Sequence, residues 1–220
     1  LYLASLKQNT NIEKSQRNWD CQFRKTLPWE KIWLRSFNSY AQGPSQNTQW
    51  KIFHEILPTK LKIHNWKKNR GRGAPNCAQC GQTENTLHPV LFCKTARTVW
   101  RHFKGLYEKL ITPKTFNAVH AIFFTNTSDL PKSDVKAKLV TTITNIITTE
   151  LWRGRNLKTK ENKNITSTKI IENVKREMKY IWQIKYNKLA RENNIKKFHK
   201  LFSINNAVSD QNEEALVFTL

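Results

Sequence analysis

The sequence predicts a mainly α-helical protein: a helical domain pinned by a small Cys/His module and followed by a long basic helix near the C-terminus. Three observations lead there. Apolar residues recur at intervals of three and four, the period of a helix face, through most of the chain. Three of the four cysteines and one histidine crowd into residues 76–93. From Lys169 to Lys200, ten basic residues stand against three acidic ones, a net +7, around the apolar positions Ile170, Ile171, Val174, Met178, Ile181, Trp182, Leu189 and Ile195.

Taken in order, residues 1–28 are polar and weakly patterned. Trp19 and Phe23 are four apart and can share a helical face, but a frayed terminus is expected here. Trp29, Ile32, Trp33 and Phe37 give a helix over 29–41, with Pro28 at its start. After a loop at Gln42–Ser45, Asn47 or Thr48 is placed to cap a helix to Leu57, with Trp50, Phe53, Ile56 and Leu57 inward. Pro58 ends or bends it. Thr59 is placed to cap a third helix carrying Leu61, Ile63 and Trp66. Val99, Trp100, Phe103, Leu106, Tyr107 and Leu110 mark an amphipathic helix that Thr112-Pro113 ends, expected to pack the Cys/His module on the upstream helices. Residues 116–124 read as a short helix, with a strand as the alternative. The loop 125–131 marks a boundary.

Beyond it, Ser133 is placed to cap a helix to about Leu157, with Val135, Leu139, Ile143, Ile146, Ile147 and Leu151 on one side and Arg153 and Arg155 favouring its C-terminal end. Thr166 or Ser167 then caps the long basic helix to about Phe202, whose second half is expected to project as a charged arm. Its outer face reads equally as a phosphate-tracking surface or a solvated one; a membrane-surface helix suits it less, because the apolar stripe is narrow. The tail 203–220 is expected to be loose. The organisation is thus an N-terminal segment 1–28, a helical domain 29–125, a two-helix basic region 133–202 and a flexible tail.

Cys77, Cys80, His88 and Cys93 are spaced C-x2-C-x7-H-x4-C. A Cys-x2-Cys turn points two thiolates at one ion, and a His and Cys five apart reach the same ion from one turn and its end. Three sulfurs and one imidazole complete a tetrahedral zinc site, a CCHC module with no position left for substrate. Thr83 and Glu84 mark the start of a short helix between the ligand pairs, with Leu87, Val90, Leu91 and Phe92 on its buried side and Pro89 in its first turn. His54 and His64 are further nitrogen donors, but four ligands already close the shell, so both are expected to be ordinary core or surface histidines.

The formal net charge is +22 and the pI about 10.1. Such an imbalance opposes compaction and points to a polyanionic partner. Between Glu55 and Glu84 there is no acid, while Lys60, Lys62, Lys67, Lys68, Arg70 and Arg72 accumulate beside the Cys/His module. Nucleic-acid phosphates are the partner this run predicts. Trp66 within it is expected to face the core rather than to stack on a base. No apolar run is long enough to cross a bilayer, and the first residues make a poor signal peptide. The unpaired Cys21 fits a reducing compartment, nucleus or cytoplasm. The chain opens on Leu rather than Met, which reads as a piece of a longer product or a truncated gene.

The order Trp50-Lys51-x-x-His54-x-Ile56-Leu57-Pro58-Thr59, then Trp66, Cys77-x2-Cys80, Glu84-x3-His88, Cys93 and Ala96-Arg97-x-Val99-Trp100 resembles the reverse-transcriptase zinc-binding domain found at the C-terminal end of polyproteins of LINE-type, non-long-terminal-repeat retrotransposons. The resemblance is best over residues 50–103. It extends loosely back to Trp29 and forward to Trp152-x-x-Arg155-Asn156, similar to the W-x-x-R-N element that follows such domains. The resemblance implies contact with template RNA or target DNA during target-primed reverse transcription, and the reverse-transcriptase core of the parent polyprotein as a further partner.

No catalytic residue is expected. Polymerases hold two metal ions with clustered aspartates. The chain has no Asp-Asp pair, and its Pro131, Asp134, Lys136 and Lys138 imitate a restriction-like nuclease core poorly. The leading expectation is a non-catalytic zinc module that binds nucleic acid. The alternative is a zinc-stabilised helical scaffold that docks on the polymerase or another subunit through its Trp-rich helices.

Overall fold

The structure is a computed structural model that describes residues 10–37, 39–41, 43–66, 73–111, 116–123, 134–192 and 194, with two short strands at 208–210 and 216–218. It is mainly helical, with the Cys/His module clustered at one point, as the sequence predicts. The helices are α1 (Thr10–Phe23), α2 (Trp29–Phe37), α3 (Pro44–Phe53), α4 (Lys60–Trp66), α5 (Lys94–Leu110), α6 (Ala118–Phe123), α7 (Asp134–Glu161) and α8 (Ser167–Arg191). A single π-turn, His88–Phe92, lies between α4 and α5. β1 (Val208–Asp210) and β2 (Leu216–Phe218) pair antiparallel, Ser209 opposite Val217, inside the tail expected to be loose, and β2 rests on α8.

The architecture is organised by α7. It packs against α2, α3, α5, α6, α8 and the π-turn. The sequence pattern predicts one buried face, yet every residue from Leu139 to Leu151 is buried. Hydrogen bonding accounts for most of the seven polar residues there, while the buried Thr149 hydroxyl has no partner among the described residues. The hydroxyls of Thr141, Thr142 and Thr148 donate to the carbonyls of Ala137, Lys138 and Thr144, one turn back, at 2.7–3.0 Å. Others meet partners across the core. Thr142 Oγ1 accepts the Tyr40 N–H at 2.9 Å, Thr144 Oγ1 pairs with the buried Tyr107 hydroxyl at 2.8 Å, and Asn145 Nδ2 donates to the Ser36 carbonyl at 3.2 Å. Burial pushes the Tyr107 phenol up. α7 packs against elements that precede the expected boundary at 125–131 and against α8 that follows it, and it runs on to Glu161.

The N-terminal segment is not frayed over 10–23. Trp19 is fully buried; its indole N–H donates to the Phe53 carbonyl at 2.9 Å, and its ring lies 5.0 Å from that of Phe123. Phe53 stands edge-on to Trp33 at 5.3 Å, so α1, α2, α3 and α6 share one aromatic layer. Two α3 boundaries depart from expectation. The helix begins at Pro44, whose ring presets the first helical φ, rather than at Asn47 or Thr48. It ends at Phe53, well before Leu57, because Glu55 turns left-handed (φ 51°) and the Ile56 N–H closes back on the Lys51 carbonyl at 3.0 Å. Ile56, expected inward, is consequently exposed, whereas Leu57 is buried.

α5 follows its predicted apolar face, but packs on α7, α8 and the π-turn rather than chiefly on the upstream helices. α8 begins as predicted, with Thr166 Oγ1 accepting the Lys169 N–H at 3.2 Å. It buries Ile170, Val174, Met178, Trp182 and Leu189, but stops at Arg191, short of Phe202. Ile195 and the expected basic arm lie outside the described residues. Among the described residues, no helix is long and apolar enough to cross a membrane.

Candidate metal centre

Two short devices bring the four donors together. The first is a knuckle. Asn76 bridges Thr83, Cys77 N–H donates to the Gln82 carbonyl at 2.7 Å, and Gly81 N–H returns to the Cys77 carbonyl at 2.9 Å. Gly81 sits at φ +74°, where a side chain would be strained, so glycine fits that step of the turn. The Gln79 N–H lies 3.4 Å from Cys77 Sγ and favours its thiolate. The second device is the π-turn. Asn85 Oδ1 accepts the N–H groups of Leu87 and His88 at 3.1 and 2.9 Å, which starts the turn, with Pro89 inside its first positions. The Cys93 N–H then closes on the His88 carbonyl at 2.7 Å. That wide ring places two ligands five residues apart on one side. The Trp100 indole donates to the Val90 carbonyl at 2.7 Å and fixes the turn on α5. Phe92, expected on the buried side with Leu87, Val90 and Leu91, is exposed instead.

Cys77 Sγ, Cys80 Sγ, His88 Nε2 and Cys93 Sγ all lie within 4.8 Å of one another. Cys77–Cys93 are 3.9 Å apart, Cys80–Cys93 4.0 Å and Cys80–His88 3.2 Å. A tetrahedral ion with metal–sulfur bonds of about 2.3 Å separates its sulfurs by roughly 3.8 Å, so the spacing fits one small ion. Cys77, His88 and Cys93 are buried and Cys80 half-buried. The hydrogen bond from Cys93 holds the Cys77 thiol well below the ordinary range, while the same bond and burial push Cys93 up. Cys93 occupies the N-cap position of α5, where the Thr95 backbone N–H opposes that rise. The cluster can hold a metal ion in a closed Cys3His shell. Neither His54 nor His64 joins it: His54 lies against the Trp50 ring at 4.3 Å, and His64 Nδ1 faces the Gly73 carbonyl at 3.0 Å.

A buried ion pair anchors this loop to the body. Arg155 Nη2 meets Glu84 Oε1 at 2.5 Å and Nε meets it at 3.1 Å, with both side chains almost fully buried. Arg155 also donates to the Pro58 carbonyl at 3.2 Å and lies 4.7 Å over the Trp152 ring. Glu84 Oε1 accepts the Lys60 N–H at 2.8 Å. It therefore starts α4, the job expected of Thr59, whose own buried hydroxyl has no partner among the described residues. Arg155 is thus no helix-end charge; it lies inside α7. Sequence reasoning missed this pair. Its only traces are the Glu84-x3-His88 and Trp152-x-x-Arg155 spacings, which say nothing of each other across 71 residues.

Of the basic residues expected to bind phosphate, Lys60 and Lys62 are half-buried on α4. Burial lowers the Lys62 pKa, with Glu55 opposing that shift. Lys67, Lys68, Arg70 and Arg72 lie outside the described residues. Trp66, expected in the core, is 66% exposed at the end of α4. This helix buries none of its residues, so nothing draws the ring inward. Compared with known proteins, the chain matches no family model, no curated protein and no solved structure.

Proposed function

We propose that the chain is a zinc-binding, non-catalytic nucleic-acid module similar to the C-terminal zinc-binding domain of LINE-type retrotransposon reverse transcriptases, contacting template RNA or target DNA. The observation that carries this reading is the closed Cys3His cluster, with the two flanking motif elements meeting on it through Glu84 and Arg155. Three thiolates and an imidazole favour zinc over the hard oxygen-seeking ions. Zinc here staples the loop and fixes the start of α5; four protein donors leave it no open coordination position. The +22 charge supplies the long-range attraction, and the basic run from Lys60 to Arg72 the phosphate contacts.

The second reading, a zinc-pinned scaffold docking on a protein partner such as the polymerase core, draws on exposed Leu34 and Phe37 on α2 and Ile56 beyond α3. Salt separates the two. Affinity of the zinc-loaded chain for labelled RNA and duplex DNA is expected to fall steeply with salt. Changing Lys67, Lys68, Arg70 and Arg72 to Ala is expected to flatten the log–log slope by about 3. Binding that is weak and indifferent to those four changes overturns the nucleic-acid reading in favour of the scaffold.

A further inference from the structure

We infer that α4 and the cleft beside it form a site for single-stranded nucleic acid, with one base stacked on Trp66 and a neighbouring base held in the cleft. The inference rests on the nucleic-acid reading above and adds which form of nucleic acid is bound and by what contacts. Trp66 leaves most of its ring in solvent at the end of α4, directly before the basic run. An exposed indole flanked by cations is the element that stacks an unpaired base without regard to its identity; bases in a duplex have no free face to offer. Lys62 stands one helical turn earlier, about 6 Å back along the axis, and so shares the face of Trp66.

The cleft lies beside α4, with Leu61, Lys62 and Asn65 contributing to its lining. It has a volume of about 190 Å³, between α1, α4 and the metal loop. That is below the range of pockets for whole cofactors or drug-sized ligands, and it suits a single planar ring system. Leu61 and Leu87 give it apolar walls. Its polar lining includes Gln22, Glu55, Lys62, Asn65 and Asn85, one negative charge against one positive with three amides. Phosphate would be repelled by Glu55, whereas a neutral heterocycle with donors and acceptors on its edge matches the set; Glu55 Oε2 accepts the Asn18 amide at 3.0 Å, and the acceptor capacity that remains on the carboxylate suits an exocyclic amine of a base. Asn65 has no hydrogen-bond partner among the described residues, and Asn85 engages only its oxygen, leaving its amide nitrogen available.

The test uses the zinc-loaded full chain, a fluorescein-labelled single-stranded oligonucleotide of about 16 bases carrying 2-aminopurine, and the duplex of the same length. Trp66→Ala is expected to weaken single-strand binding about tenfold and to abolish the quenching of 2-aminopurine, with duplex affinity changed less than twofold. Trp66→Phe is expected to restore most of both signals. Glu55→Gln is expected to alter the preference among homopolymers of different base while leaving the salt slope unchanged. Equal loss of single-strand and duplex affinity in Trp66→Ala, or no loss in either, overturns this inference and leaves the proposed function standing. Absence of binding to either nucleic acid by the unaltered protein overturns both.

Discussion

The metal loop and the aromatic layer solve the same problem, burying a short segment against α7, by opposite means. Residues 73–93 hold themselves through local devices: a knuckle, an asparagine-started π-turn and four donors within a span of seventeen residues. The layer of Trp19, Trp33, Phe53 and Phe123 has no local logic. Its members come from four helices and meet only when the chain is folded, as in the Trp19–Phe53 bond across 34 residues. The first region has a cluster that can hold an ion and one buried ion pair; the second has apolar area. The two should therefore fail separately and for different reasons.

Metal removal gives the largest separation. A structural ion contributes on the order of 10 kcal/mol to local folding, so a chelator or Cys80→Ser is expected to open residues 73–93 to hydrogen exchange while the Trp19 indole N–H stays protected. Simultaneous loss of both regions would break the distinction. Next comes the anchor. Glu84→Gln leaves Arg155 buried without its counter-charge and is expected to cost about 3–5 kcal/mol in thermal or denaturant unfolding. With Glu84 intact, Arg155→Lys keeps the charge but loses the fork that places two nitrogens on Glu84, and is expected to destabilise as well. On the aromatic side, Trp19→Ala is expected to cost about 3–5 kcal/mol with metal stoichiometry unchanged, measured by denaturant midpoint and metal analysis together.

Smaller effects sharpen the picture. Burial lowers the His54 pKa below 6.5 in the folded chain. The unfolded state therefore binds the proton more readily, so this stability is complete above the unfolded value and is lost as pH falls through the folded one. His54→Phe, which suits a ring between Trp33 and Trp50, is expected to narrow the fall in Tm between neutral and mildly acidic buffer. A wild-type slope retained by the variant would assign the acid sensitivity elsewhere. Glu55→Gly is the mildest change: relief of the left-handed strain, worth about 1 kcal/mol, is offset by the loss of the Asn18–Glu55 hydrogen bond and by a looser unfolded chain.

This contrast also explains how much could be read from the residues alone. The Cys/His cluster was legible because its spacing is local, and α5 and the start of α8 were legible because their apolar periods are strong. The place of α1 was not, since a polar sequence with one Trp gives no hint of a partner in α3 or α6. The full burial of α7 was hidden by its threonines, which look like solvent-facing residues until their hydroxyls are seen bonded to the preceding turn. The early end of α3 turned on a glutamate in a conformation the residue rarely adopts. Glu84 and Arg155 each sat in a visible motif, but nothing one-dimensional joins them.

X-ray absorption on the purified, metal-loaded chain tests the central claim most directly. The account predicts one zinc per chain with three sulfurs at about 2.3 Å and one imidazole nitrogen at about 2.0 Å, and one sulfur fewer in Cys93→Ala. Oxygen ligands in the first coordination shell, or a spectrum unchanged in that variant, would contradict it.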